Sequence, residues 1–574
     1  VLLLALVLAV PGLWGGFHRD DYWLMNRLEL DQSVTASFSV FKLYDSKTND
    51  PDHQWGPWWT NPELKINFFR PLSGLALYAQ YHVFGKHPFF FHVVATILFL
   101  TFVYLWANIL REFLPDKTAI LALLIMVFSS KPIVATLWVA NQNALIAAIF
   151  FTIGFQIHIM SRKSGNTGLL IGSVILYFIA LLAGEITTSM LVFPLFYELY
   201  LQPDRSLYSK IKFFAALAAI SIAYLAIYRY GQFGTFGSGL YVNPVREFPR
   251  WVNQFPIRFF PLLAANFFEV YIDPWALNTS TKAVFTLAGI ISAVVVTVMY
   301  FKLTAIITGK KRKILMFFFV TSIVAMIPTT SGFPMTRLVF PAFLSTAVIV
   351  AIIMEYGFGV RRFCEAAPPH KKLRFLKFLA AFYTVVFLAI TPCLWIVSAA
   401  AGRIMENRNE RAFLDRSILQ NKNMDFYVFS GYLPGVRFLT AMQRYFGQES
   451  PASFNYLIQT PYPYEILTAS DRSLIVTIKG GGAMLEGADA IVNHCGAFKK
   501  DQIVPHRLFT VRILEANACG PTKFEITFID RLENLRDAIF LYDNDTVDLL
   551  PLPPIGQSIT IDLPVFSAVP FNIK

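Results

Sequence analysis

His18, Arg19, Asp20 and Asp21 stand side by side in the stretch GFHRDDYWLM, directly after the uncharged run Val1–Trp14. Two adjacent carboxyls can act as a general base toward a hydroxyl or hold a divalent cation, and the neighbouring imidazole and guanidinium suit an anionic group. Farther along, Arg70 in NFFRPLSG and Arg337 in FPMTRLVFPAF are isolated guanidiniums among aromatics. Such forks match phosphate oxygens, and they also serve as plain anchors to lipid headgroups. Glu185 in LLAGEITTSM, Asn141, Gln142 and Asn143 in LWVANQN, and His87 in GKHPFFFH complete the polar groups at the borders of apolar runs. Asp20 and Asp21 stand at the border of an apolar run, where an ionisable residue is a functional candidate by default. The competing reading of the cluster is a set of interfacial charges that fixes a helix terminus. No Gly-rich phosphate loop stands out, and no Cys or His spacing suggests a metal centre.

The elements that must position these residues are membrane helices. Hydrophobic residues make up 55% of the 574 and charged residues only 15%, where a soluble domain has roughly 25% charged. Apolar runs recur that are long enough to cross a hydrocarbon core. They predict about eleven spans, near 1–16, 89–110, 117–131, 142–160, 167–184, 186–201, 211–229, 281–301, 313–328, 338–355 and 377–399. Val1–Gly16 reads as the outer part of a first spanning helix that begins before Val1. The fold class is therefore a polytopic α-helical membrane protein.

The net charge of +12 reports topology rather than nucleic acid. Arg111, Lys117, Arg162, Lys163, Arg205, Lys210, Lys212, Lys302, the run Lys310–Lys313 and the group from Arg361 to Lys377 all fall in alternate loops. The positive-inside rule makes these loops cytoplasmic. The segments 17–88 and 230–280 are then external loops. The second carries REFPRWVNQFPIRFF, whose amphipathic pattern predicts an interfacial helix. An odd number of spans places the tail outside as well.

That tail, residues 403–574, changes character. After a helical connector at 403–423, the stretches SLIVTIKG, RLFTVRILEA, KFEITFID and QSITIDL alternate as strands between Gly, Pro and Asn/Asp breaks. They predict a mostly β extracytoplasmic domain attached to a transmembrane domain at 1–402. Cys495 and Cys519 both lie near β segments, so they form either a disulfide, as an oxidising compartment permits, or two buried thiols.

An acidic pair after the first span, followed by FFRPLSGLALYAQYHVFGKHPFFFHVVATILF, resembles the polytopic GT-C-fold glycosyltransferases. Closest in pattern are protein O-mannosyltransferases, tetratricopeptide-tailed O-mannosyltransferases and lipid A aminoarabinose transferases. KPIVATLWVANQNALIAAIFF resembles their next helix pair, and GEITTSMLVFPLF their acidic turn, with Glu185 matching and Gly184 where those proteins carry lysine. The resemblance covers about residues 15–200. It breaks down in the tail, which lacks a tetratricopeptide period of about 34 residues. It implies a transferase that moves a sugar from a polyprenyl-phosphate donor to an acceptor hydroxyl, by an inverting mechanism, on the outer face of a bacterial inner membrane. In that scheme Asp20 or Asp21 is the base, and Arg70, Arg337 and Arg19 hold the donor phosphate. His18, Glu185, Asn141, Asn143 and His87 meet the donor or acceptor sugar. No cofactor is required beyond the lipid-linked donor, with a divalent cation at Asp20/Asp21 as a variant. The expected partners are membrane lipid, the polyprenyl-phosphate sugar and an acceptor, with no nucleic acid. The rival readings are a non-catalytic membrane scaffold of the same fold and a transporter.

Overall fold

The computed structural model describes residues 1–46, 56–359, 370–414, 417–430, 438–543 and 546–562. Arg361 and Arg362, assigned above to a cytoplasmic loop, lie outside the described residues.

Helices dominate to residue 414. In order they are α1 (Leu2–Ala9, prolonged by a 3-10 turn to Trp14), α2 (Asp20–Leu30), α3 (Pro71–Phe84), α4 (Pro88–Phe113), α5 (Asp116–Phe128), α6 (Ile133–Leu137), α7 (Gln142–Ser164), α8 (Thr167–Ala183), α9 (Thr187–Met190) and α10 (Val192–Phe196). Then come α11 (Leu207–Tyr230), α12 (Phe248–Phe268), α13 (Thr279–Thr304), α14 (Gly309–Val324), α15 (Phe340–Gly357), α16 (His370–Val385) and α17 (Thr391–Leu414). Among the described residues, seven helical segments are long and apolar enough to cross a membrane: 88–113, 139–164, 207–230, 279–304, 309–331, 336–357 and 374–403. Leu2–Trp14 and Thr167–Ala183 are shorter apolar helices. The apolar run expected at 117–131 ends earlier, because α5 stops at Phe128 and Pro132 precedes the one-turn α6.

The helices share one core. α15 is buried along its whole length. α11 and α13, by contrast, expose Ile222, Leu225, Val284, Leu287 and Ile291, as helices facing lipid do. Burying an isolated ion is costly, and one buried carboxylate of this bundle is paired twice. Glu198 accepts from His158 Nε2 at 2.8 Å and from Arg162 Nε at 2.5 Å.

The expected surface helix in 230–280 exists, but it runs on to Phe268 and is half sunk into the bundle. Its first half exposes Phe248, Val252 and Ile257, whereas Pro261–Phe267 is buried. The physical reason is close approach. A Cβ on Gly289 of α13 would sit 2.0 Å from the Phe260 carbonyl oxygen, so only glycine lets the two backbones meet. Arg258 of α12 is fully buried. Its Nη1 donates to the carbonyls of Leu240 at 2.9 Å and Gly332 at 2.8 Å, and its Nη2 to Gln254 Oε1 at 2.6 Å. One guanidinium thus ties α12 to two separate loops.

The expected β structure of the tail begins at Asp425. A four-stranded sheet runs β12 (Thr546–Leu549), β11 (Ile539–Asp543), β4 (Asp425–Ser430), β5 (Ser453–Gln459), with β4 parallel to both neighbours. An antiparallel six-stranded sheet runs β13 (Ser558–Ile561), β6 (Tyr464–Thr468), β7 (Ser473–Ile478), β10 (Gly520–Phe528), β9 (Phe509–Asn517), β8 (Ile503–Pro505). All four alternating stretches noted in the sequence are strands. Cys495 and Cys519 are joined by a disulfide. α18 (Leu439–Tyr445) leaves this domain and packs on α2, where Asn26 Nδ2 donates to the Ala441 carbonyl at 2.7 Å.

The first connection is built into that domain. β1 (Lys42–Asp45), β2 (Lys65–Asn67) and β3 (Gly234–Phe236) form a small sheet linking residues far apart in the chain. Trp58, Trp59, Leu64 and Ile66 belong to the same buried cluster as the strands of the C-terminal domain. The loop 237–241 also meets that domain, for both the Gly239 and Leu240 amides donate to the Ala490 carbonyl.

Candidate active site

At the end of the bundle nearest the β domain lies a cavity of about 1000 Å³. Asp20, Arg70, Asn141, Asn143, Glu185 and Arg337 all line it. These six come from five separate stretches of chain. Asp20 is the first residue of α2, and Arg70 caps the N-terminus of α3, where Pro71 at the first helical position fixes the start. Asn141 and Asn143 flank the start of α7, Glu185 sits in the turn between α8 and α9, and Arg337 is in a 3-10 turn before α15. Arg19 adopts φ 44°, a conformation uncommon outside glycine, at the sharp bend that starts α2.

The charges divide into paired and unpaired sets. Arg70 Nε donates to Glu185 Oε2 at 2.7 Å, and the Tyr228 hydroxyl donates to the other Glu185 oxygen. The Phe69 amide donates back to the Tyr228 oxygen at 3.2 Å, and the Arg70 guanidinium lies 4.5 Å from the Phe68 ring centre. The Arg70 charge is therefore largely answered by Glu185. Lys131, which also lines the cavity, forms a 2.7 Å ion pair with Glu269, with both side chains buried. Ser130 supports that carboxylate with a 2.5 Å hydrogen bond. Glu269 reaches them because the chain turns at φ 55° as α12 ends.

Asp20 and Arg337 remain. Among the described residues neither forms an ion pair. Burial raises the Asp20 carboxyl above its ordinary value, and the nearby positive charges of Arg337, Arg19 and Arg70 pull the other way. Arg337 rests over the Trp138 ring at 4.8 Å, and its Nε is buried without a hydrogen-bond partner. Half-buried Tyr241 also lines the cavity, its hydroxyl pushed up by burial and drawn down by Arg337. Besides Arg229 and Arg246 at its rim, the cavity thus holds the open carboxylate of Asp20 and the open guanidinium of Arg337, with hydrogen-bonding amides beside them.

The remaining sequence candidates lie off the cavity. Asp21 is fully buried, and its carboxylate accepts the His18 amide at 2.9 Å and the Ala140 amide at 2.7 Å. It is an N-terminal helix anchor, as a carboxylate in a first turn commonly is. Its two oxygens are engaged by backbone amides, and it does not line the cavity that Asp20 enters. No group of three or more His, Cys, Asp or Glu that could hold a metal occurs among the described residues. His18 packs toward Gly402, and burial, then His92 and Arg19, push its imidazole down to about 4, so the ring is neutral. Arg19 is exposed and acts on Asp20 only as a nearby charge. His87 is an exposed N-cap of α4.

Sequence reading missed Lys131, Glu269, Tyr228 and Tyr241. A signal existed for the first two, since Lys131 precedes a proline at the edge of an apolar run and Glu269 is the single acid in ANFFEVY. Nothing distinguished the two tyrosines from the other 22 of the chain's 24.

On one side the cavity wall is Ile222 and Leu225 of α11, with Val245 beyond; all three are exposed apolar residues. Arg229 and Arg246 sit on the same rim. The polar interior therefore opens along the flank of a membrane-type helix.

No known family description matches the sequence, and no curated protein matches it. Solved structures similar to this chain include the following three. ArnT from Cupriavidus metallidurans bound to undecaprenyl phosphate has 11% identity and a TM-score of 0.34, over 75% of this chain and 90% of that one. The Archaeoglobus fulgidus oligosaccharyltransferase tethered with an acceptor peptide has 10% identity and a TM-score of 0.32, over 75% and 64%. Apo ArnT from Cupriavidus metallidurans has 12% identity and a TM-score of 0.28, over 75% and 89%. Likenesses of this size say nothing about chemistry.

Proposed function

We propose that the protein is an integral-membrane glycosyltransferase that moves a sugar from a polyprenyl-phosphate donor to an acceptor hydroxyl. The observation that carries this reading is the meeting of an unpaired carboxylate, Asp20, and an unpaired guanidinium, Arg337, in one cavity that opens along an apolar helix flank. The prenyl chain lies along Ile222 and Leu225, and the phosphate takes the position in front of Arg337. Asp20 accepts the acceptor's proton as its oxygen bonds to the sugar's anomeric carbon. The bond from that carbon to the phosphate oxygen breaks on the opposite face, which inverts the centre, and the charge on the departing phosphate falls to Arg337. Arg70 is held by Glu185 and Tyr228, so it shapes the wall and adds a more distant positive charge.

The cation-rich loops assign the opposite end of the bundle to the cytoplasm. This supports an external position, on a bacterial inner membrane, for the cavity and the β domain. The Cys495–Cys519 disulfide fits an oxidising compartment.

The test is transfer from labelled polyprenyl-phosphate sugars by purified parent and Asp20→Asn. A fall of about 10²–10⁴-fold is expected for loss of a general base. Equal turnover would remove Asp20 from this role, and no turnover with any donor would remove the reading itself. External labelling of single cysteines placed in the β domain checks the sidedness.

A further inference from the structure

The β domain contains a second, smaller cavity that this reading does not use. Its volume is about 310 Å³, at the low end of the ~300–1000 Å³ common for small-molecule sites. Asp425 at the head of β4, Ser453 and Asn455 in β5, His506 and Arg507 in the β8–β9 turn, and Trp58 from the first connection line it.

The polar groups are locked to one another. Arg507 Nη2 donates to Asp425 Oδ1 at 3.0 Å, and the Ser453 hydroxyl donates to the same carboxylate. Asn455 Nδ2 donates to Ser453 Oγ at 2.8 Å and to the Phe426 carbonyl at 3.1 Å. His506 Nδ1 accepts the Leu508 amide at 3.3 Å. A ring whose Nδ1 accepts carries its proton on Nε2 when neutral. Burial and the Arg507 charge do hold this imidazole down to about 4, so it is neutral near pH 7. Trp58 Nε1 donates to the Leu457 carbonyl at 3.0 Å, which fixes the indole.

Three ligand chemistries fit poorly. The Asp425 carboxylate opposes an anion, and the Arg507 guanidinium opposes a cation. The Ser453 hydroxyl is given to Asp425, so Ser453, His506 and Asp425 are not arranged as a nucleophile and its base. The lining instead offers carboxylate and amide oxygens beside guanidinium and imidazole N–H groups, with no net charge and an aromatic wall. That set complements a compact molecule dense in hydroxyls, each both donor and acceptor.

We infer that this cavity binds a small uncharged saccharide of one or two pyranose rings. It is a binding site separate from the cavity in the helix bundle, and it stands whether or not that cavity transfers sugar.

The test uses the full-length protein in a detergent without a sugar headgroup. Saturation-transfer NMR is run with methyl α-D-mannopyranoside, N-acetylglucosamine and cellobiose, and with the tripeptide Gly-Gly-Ser as a control. At least one saccharide is expected to bind saturably. Affinity should fall about tenfold in Arg507→Ala, in line with loss of one charge-assisted hydrogen bond. The Arg507 side chain is 68% exposed, so its truncation leaves the fold intact. Asp425→Asn is the second variant and should weaken the same saccharide. Absence of saturable binding by all three saccharides, equal affinity in both variants, or equal binding of the tripeptide would overturn the inference. Because the readout is binding, the outcome is independent of any transfer assay.

Discussion

Asp20 and Asp21 are neighbours in sequence with opposite fates. Asp21 spends both oxygens on backbone amides, while Asp20 enters the cavity with its carboxylate open. The sequence showed a polar cluster at a membrane border. It did not show which acid faced inward, because that depends on where α2 begins and on a positive φ at Arg19. The difference has a pH signature. A raised carboxyl is still protonated where an ordinary aspartate, at about 3.9, has ionised. Transfer should therefore rise with pH through a limb lying above that value, and the limb should vanish with Asp20→Asn; an unchanged profile would contradict the assignment. The same shift bears on stability. A folded-state value above the unfolded one means that stability is lost as pH rises through the folded value. Asp20→Asn should thus melt at or above the parent temperature at neutral pH.

The two arginines separate in the same way. Arg337 has no carboxylate partner among the described residues, so Arg337→Ala should lower kcat/KM by about 10²–10³-fold with little change in Tm. Arg70→Ala strands Glu185 and should cost about 2–3 kcal/mol of stability, visible in chemical unfolding. Glu185→Gln in the same molecule should recover much of that loss. If the two substitutions exchange these signatures, the division into paired and unpaired charges is wrong.

At the scale of elements, apolar periodicity placed the long helices and the β alternation placed the strands. It could not foresee the depth of α12. That depth rests on Gly289, whose lack of a side chain admits the Phe260 backbone. It also rests on Arg258, which caps carbonyls of two loops that no local pattern connects. Gly289→Ala should destabilise by at least about 2 kcal/mol through overpacking. Arg258→Met should cost about 3 kcal/mol by leaving buried carbonyls unmet. Hydrogen exchange should then rise in 238–242 and 329–332 together. Exchange confined to α12 alone would mean that the guanidinium does not join the two loops.

For the whole molecule, the division at about residue 402 captured the change in composition but not the packing. The loop residues Trp58, Trp59, Leu64 and Ile66 complete the core of the C-terminal domain, and α18 returns to α2. Long-range partners of this kind leave no periodic trace in sequence. The disulfide was one of two readings that a pair of cysteines near strands left open. Replacing both with serine should cost the domain about 3 kcal/mol, given a sequence separation of 24. Unfolding curves that coincide with and without reductant would deny it that role.

The amides of Gly239 and Leu240 share one acceptor, the Ala490 carbonyl, and a Cβ on Gly239 would come within 2.7 Å of it. Two residues on, Tyr241 and Val242 belong to the cavity wall. A chain cut after the last membrane helix would thus lose part of the mould that shapes its own reaction chamber. Production of the membrane half alone should yield a folded bundle with a slack, misshapen hollow, so attempts to reconstitute activity need both halves present from the start.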